Sequence, residues 1–229
     1  MDNQHIKIYK DLMGENDKWA AETRKLLTSN NITMLNLIGS PGSGKTTLLE
    51  SMIGILGERY NFAVLEGDVE TTRDAERLDS LNVPVSQLLT GGACHLEAKL
   101  VYNALCDLPL ADLDIVFVEN VGNLVCPAEF DIGEHAKVAV LSTTEGEDKP
   151  IKYPLLFREA GAVVISKTDL IPHISFDLEQ CREFIRQVNN ENPIFEIAAT
   201  NGQGVQEWID WTEGMRRQNN NRTTGLWSQ

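Results

Sequence analysis

Eight consecutive residues, Gly39-Ser40-Pro41-Gly42-Ser43-Gly44-Lys45-Thr46, satisfy the pattern G-x-x-x-x-G-K-[ST]. Glycines at these places let backbone N–H groups turn inward around phosphate oxygens, and a lysine at the seventh can reach the terminal phosphates. Thr46 offers a hydroxyl to Mg²⁺, and the helix expected from Thr46-Thr47 onward adds the partial positive charge of its N-terminus. The apolar run Met34-Leu35-Asn36-Leu37-Ile38 leads in as a buried strand would. Strand, glycine-rich loop and helix in that order predict a nucleoside-triphosphate site.

Carboxylates are expected at the same end of the fold. The segment from Glu66 to Arg77 is dense in acids. Asp68 is the candidate Mg²⁺ ligand, direct or through water, and Asp74 the candidate for orienting an attacking water. After the run Ile115–Val118, Glu119-Asn120-Val121-Gly122 takes the position where an acid contacts magnesium's waters and a glycine N–H senses the γ-phosphate. Ser166-Lys167-Thr168-Asp169 resembles the N-K-x-D element of GTP-binding proteins. Asp169 can accept from both N1–H and the 2-amino group of guanine, a donor pair that adenine lacks, and Lys167 can lay its stem on the base. Serine replaces asparagine at position 166, which removes an amide that braces the loop. Ala199, after a later strand, is expected to close over the base through its backbone.

Two further segments carry soft donors. Cys94-His95 follows Gly91-Gly92, and Cys126 precedes Pro127 four residues after Gly122. Two thiols and an imidazole suit Zn²⁺ or Ni²⁺, and the donor set alone does not choose between them. Cys106 and Cys181 fall within helical patterns and read as packing residues; His5, His135 and His173 stand alone.

The elements that must position these groups follow from periodicity. Short apolar runs near Met34–Ile38, Phe62–Leu65, Val83–Leu88, Ile115–Val118, Val138–Leu141, Val163–Ser166 and Pro193–Ile197 predict strands. Helical patterns intervene near Thr46–Leu56, His95–Leu105, Pro154–Ala160, Leu178–Asn189 and Val205–Arg217. This alternation predicts an α/β domain with a mostly parallel sheet covered by helices on both faces, the P-loop NTPase fold, with ligands at the strands' C-terminal ends. Residues 1–32 read as an amphipathic N-terminal helix, apolar at Ile8, Leu12, Trp19 and Leu26, packed on a domain spanning 33–217. The polar stretch 218–229 reads as a mobile tail.

The chain has 229 residues and a formal charge of −14. That charge argues against binding nucleic acid or anionic membranes, where affinity comes from neutralising phosphates. No run approaches a membrane span, and the N-terminus lacks the pattern of a signal peptide, so a cytoplasmic location is expected.

Taken together, these motifs closely resemble the HypB family, the hydrogenase nickel-incorporation GTPases, within the dimerising metallochaperone and signal-recognition class. The resemblance runs from about Thr33 to Trp211. It is carried by the phosphate loop, Gly67-Asp68-Val69, Thr90-Gly91-Gly92-Ala93-Cys94-His95-Leu96-Glu97-Ala98, Glu119-Asn120-Val121-Gly122-Asn123-Leu124-Val125-Cys126-Pro127-Ala128 and Ser142-Thr143-Thr144-Glu145-Gly146-Glu147-Asp148-Lys149. It implies GTP hydrolysis with Mg²⁺, and a homodimer promoted by GTP and metal. It also implies that Cys94, His95 and Cys126 hold Ni²⁺ or Zn²⁺ near the dimer interface. Lys152, with Lys149 as the nearby alternative, matches a position that reaches the partner's γ-phosphate. The implied partners are a hydrogenase large-subunit precursor and a companion nickel-binding maturation protein.

Departures and rivals accompany the resemblance. The N-terminal cysteine cluster and the histidine-rich stretch of some relatives are not in this sequence, which implies that any nickel passes through the switch-linked Cys94-His95-Cys126 site or comes from a partner, without bulk storage. No glutamine stands where a Ras-like protein orients its water, so slow intrinsic turnover is expected. One rival is a urease-type accessory GTPase, whose Cys-Pro-His motif contrasts with Cys126-Pro127-Ala128. A P-loop metabolic kinase and a non-catalytic metal-binding regulator are the others.

Overall fold

The computed structural model describes residues 4–68 and 83–225, with side chains from 14 to 67 and from 83 to 221. Seven strands among these form one parallel sheet: β1 (Thr33–Gly39), β2 (Phe62–Asp68), β3 (Val85–Leu89), β4 (Ile115–Glu119), β5 (Ala136–Ser142), β6 (Ala160–Ser166) and β7 (Ile194–Ile197). Their order is β3-β2-β4-β1-β5-β6-β7. β1 is central and buried along its whole length, as an apolar strand covered on both faces must be. Its register with β4 pairs Leu37 with Glu119, which sets the phosphate loop beside the end of β4.

Alternate residues of β1 enter opposite layers. Leu35 and Leu37 pack with α2 (Lys45–Leu56) and α8 (Val205–Gly225) around Phe62, Phe117 and Trp208. Met34 packs with Leu27 of α1 (Gln4–Ser29) and with Val101 and Leu105 of α3 (Ala98–Cys106). Ile38 faces Leu156 and Phe157 of α6 (Pro154–Glu159) and Cys181 and Ile185 of α7 (Leu178–Val188). Two four-residue helices complete the set: α4 (Cys126–Glu129) and α5 (Lys149–Lys152).

Several boundaries differ from the sequence expectation. Helix α3 begins at Ala98, not His95, because Glu97 is extended and the Asn16 Oδ1 accepts from the Ala98 N–H at 3.0 Å. Cys94 and His95 therefore lie in a loop. On α1 the buried stripe is Asn16, Ala20, Thr23 and Leu27, at helical spacing but offset from Trp19 and Leu26, which are half-buried; the side chains of Ile8 and Leu12 lie outside the described residues. The tail expected from 218 is helical to Gly225. Polar side chains anchor it: Asn219 donates to Ile32 O at 3.1 Å, and Arg216 donates to Asn31 O and pairs with Asp114. Cys106, expected to be packed, is exposed, whereas Cys181 is buried and its thiol is pushed up to about 12 by desolvation. No helix of the described residues is long and apolar enough to cross a membrane.

Two expectations follow. Trp208 is fully buried, stacked on Trp211 at 5.0 Å and edge-on to Phe195 at 5.5 Å. Trp208→Ala should lower urea-unfolding stability by about 3–5 kcal/mol, with an unchanged m-value. Burial alone would raise the Asp131 carboxyl, but two contacts from the Arg24 guanidinium at 2.6 and 2.7 Å and the Gly133 N–H outweigh it and hold the carboxyl below its usual range. A depressed carboxyl contributes stability above its unfolded pKa and loses it as pH falls through the folded value. Arg24→Gln should therefore narrow the stability difference between neutral pH and about pH 3, read from urea midpoints at each pH.

Candidate functional site

β1 ends at Gly39 and α2 begins at Lys45, so five residues form the phosphate loop. Gly42 and Gly44 have φ of 74° and 92°, left-handed values that L side chains resist. Lys45 is 5% exposed; its Nζ approaches Gly39 O at 3.3 Å and Ser40 O at 3.4 Å, and lies 3.9 Å from Glu119 Oε1. The Thr46 hydroxyl donates to Glu119 Oε1 at 3.0 Å. Glu66, also buried, pairs in register with Glu119 across β2 and β4, so both carboxylates face the same side. Asp68, at the end of β2, has its side chain outside the described residues, and Asp74 lies outside them altogether. Hydroxyl and carboxylate oxygens gathered beside a buried lysine are the hard donor set that Mg²⁺ takes next to phosphates.

The expected base-side residues come to the same edge. Ser166 Oγ donates to the Ser43 carbonyl at 2.5 Å, and Lys167, itself in a left-handed conformation at φ 59°, donates from Nζ to Gly42 O at 2.6 Å. The loss of bracing expected from serine at 166 is thus corrected: its short hydroxyl reaches the phosphate loop directly. Thr143 closes the other side, its hydroxyl donating to Lys167 O at 2.9 Å. Asp169 sits half-buried in the first turn of the 3-10 helix Thr168–His173, and Ala199 in the turn after β7. Lys149 pairs with Glu145 at 3.4 Å and Lys152 with Asp148 at 2.5 Å, so each is held within its own segment.

Gly122 lies hard against the phosphate loop, since a Cβ there would meet Pro41 Cγ at 2.6 Å. Four residues on, Cys126 opens α4 with its Sγ 2.8 Å from that of Cys94, which is 3.7 Å from His95 Nδ1. All three donor atoms lie within 4.8 Å of one another, a set that metal–ligand distances of about 2.0–2.3 Å span with small rotamer changes. The neighbouring Cys126 thiol, followed by desolvation, raises the Cys94 pKa, so metal capture must release protons. Burial lowers the His95 pKa and favours the neutral, ligating imidazole. That ring stacks on Phe130 at 3.7 Å.

Sequence reasoning missed the polar scaffold behind these groups. Asn120 Nδ2 donates to Asn36 Oδ1 at 3.1 Å, and Asn36 Nδ2 to Glu134 Oε1 at 3.2 Å, all three side chains being buried. Asn36 interrupts an otherwise apolar strand, which was the available signal. His135 is structural, its Nδ1 accepting from the Met34 N–H at 3.0 Å. Asn16, Asn123 and Phe130 carried no signal of their own, because their partners are distant in sequence or on the backbone.

The Ser166 contact is testable. Ser166→Ala removes one donor to a loop that must hold phosphates, and should weaken nucleoside-triphosphate binding about threefold to tenfold by calorimetry, with the fold intact.

Residues 33–196 match the family model described as CobW/HypB/UreG, nucleotide-binding domain. The hydrogenase maturation factor HypB of Azotobacter vinelandii is 47% identical over 211 residues, 92% of this chain and 70% of that protein. The crystal structure of HypB from Helicobacter pylori in complex with nickel superposes with a TM-score of 0.86 at 37% identity, covering 90% of this chain and 96% of that one. HypB from Archaeoglobus fulgidus gives a TM-score of 0.84 at 35% identity, covering 89% and 99%. With the phosphate loop, its buried acid and the Cys-His-Cys cluster on one sheet edge, the chain belongs to the HypB family of CobW/HypB/UreG nucleotide-binding proteins.

Proposed function

We propose that the protein is a GTP-hydrolysing metallochaperone that binds nickel and assists its insertion into a [NiFe]-hydrogenase precursor. One observation carries the reading: a single short segment, 119–126, starts at the acid bonded to Thr46, touches the phosphate loop at Gly122 and ends at the thiol of Cys126. A nucleotide contact that moves Gly122 must also move a metal donor. Nucleotide state and nickel affinity are then linked, each changing the other by the same factor.

Within this reading Lys45 reaches the terminal phosphates, Thr46, Glu119 and Asp68 hold Mg²⁺, and Gly122 senses the γ-phosphate. Mg²⁺ supplies charge neutralisation on the β- and γ-phosphates. Asp74 orients water, Asp169 selects guanine, and Lys167 and Ala199 border the base. Cys94, His95 and Cys126 offer nickel three ligands, which leaves a coordination position for water, a second copy or the acceptor; a cargo site benefits from such incompleteness. GTP and metal promote a homodimer in which Lys152 or Lys149 approaches the partner's phosphate. Val125 and Ile151, both about half exposed beside these groups, support a face that becomes covered. The further partners are a companion nickel-binding maturation protein and the hydrogenase large-subunit precursor.

Nickel titration against a competing chelator, with GDP and then a non-hydrolysable GTP analogue, tests the coupling. The two affinities should differ by about fivefold or more, and equality would end the proposal. Phosphate release from GTP without any acceptor, outcompeting ATP, is expected in parallel and separates the protein from a kinase.

A further inference from the structure

Asn123 stands between Gly122 and Cys126, and its amide makes two bonds of opposite sense. Its Oδ1 accepts from the Val125 N–H at 2.9 Å, which shapes the turn that delivers Cys126 to α4. Its Nδ2 donates to the backbone carbonyl of Cys94 at 3.1 Å, across to the other ligand loop. Only a neutral amide of this length does both: a carboxylate lacks the donor, and a hydroxyl is too short to span the gap. Apart from the Cys94–Cys126 sulfur contact itself, the ligand loops are also joined, among the described residues, by the His95–Phe130 stack and the bonds of Asn16 to Ala98 N and Asp131 O. The stack and the Asn16 bonds both reach residues beyond α4, on the far side of Cys126 from the nucleotide. The Asn123 tie is next to Gly122, the residue packed on Pro41.

We propose that Asn123 is a positioning residue of the metal site, holding the Cys94 loop in step with the Gly122–Cys126 turn so that both thiols respond together when Gly122 moves. The second half of this statement rests on the metallochaperone reading above. With the amide gone, Cys126 still follows Gly122 through the chain, but Cys94 is released from it. The two sulfurs then lose their common reference, and the cluster forms less readily.

The variants are Asn123→Asp, which keeps the acceptor and loses the donor, and Asn123→Ala, which loses both and adds no charge that would itself attract a cation. Ni²⁺ is titrated into the full chain with GDP and with a GTP analogue, following the thiolate-to-nickel charge-transfer absorption. GDP affinity and the urea-unfolding midpoint serve as folding controls and should match the wild type. Asn123→Ala should bind nickel about threefold to tenfold more weakly, with a shifted absorption band. In both variants the ratio of nickel affinities between the nucleotide states should fall toward one. Wild-type affinity, band and ratio in both variants would overturn the proposal. A parallel loss of GDP affinity would overturn it too, since that marks general loosening. If the wild type itself is indifferent to nucleotide, the coupling reading fails, and Asn123 is then judged on the affinity and the band alone.

Discussion

Everything at the active edge depends on how a buried carboxylate is accommodated. Glu119 is 5% exposed at the end of a strand paired on both sides. An ionised carboxylate in such a place is costly unless hydrogen bonds and opposite charge surround it. Thr46 provides the hydroxyl and Lys45 the nearby charge, both from the first turn of α2. The acid thereby fixes where the phosphate-loop helix starts relative to β4, and the chain leaving β4 begins from that fixed point.

The continuation of that chain is clamped from behind. Asn120 is bonded through Asn36 to Glu134, whose other oxygen accepts from the Ile132 N–H. Burial raises the Glu134 pKa, with Lys137 opposing from 3.9 Å. Lys137 also donates to Ala128 O at 2.7 Å, in the helix that Cys126 opens. Both ends of the 119–128 stretch therefore rest on one polar hub inside the domain. Fully satisfied buried polar networks of this kind hold a single arrangement, because each broken bond leaves a group without water to replace it. Between these two ends the stretch meets the phosphate loop, where Gly122 packs on Pro41.

The proposed metal donors sit at the open end of this frame. Cys94 is exposed and Cys126 half-buried, while the segments that carry them are tied to α1 through Asn16 and to each other through the Phe130 stack and Asn123. Rigid backing with exposed sulfur suits an ion that has to be taken up and given away. Long-lived structural metal sites, by comparison, close all their coordination positions.

The sequence by itself determined the sheet and the phosphate loop, because both are written in local patterns: apolar runs of strand length, glycines where φ must be positive, and a lysine and threonine at fixed offsets. It also singled out Cys94, His95 and Cys126, since thiols and an imidazole beside glycine and proline are rare outside metal or packing roles. Only the tertiary structure decided that the two thiols, 32 residues apart, come within 2.8 Å. It decided too that Ser166 reaches the phosphate loop, and that Asn219 anchors a helix where composition suggested a loose tail. Those outcomes turn on long-range partners that are often backbone carbonyls. A carbonyl has no residue type, so no pattern along the chain announces which side chain will find it.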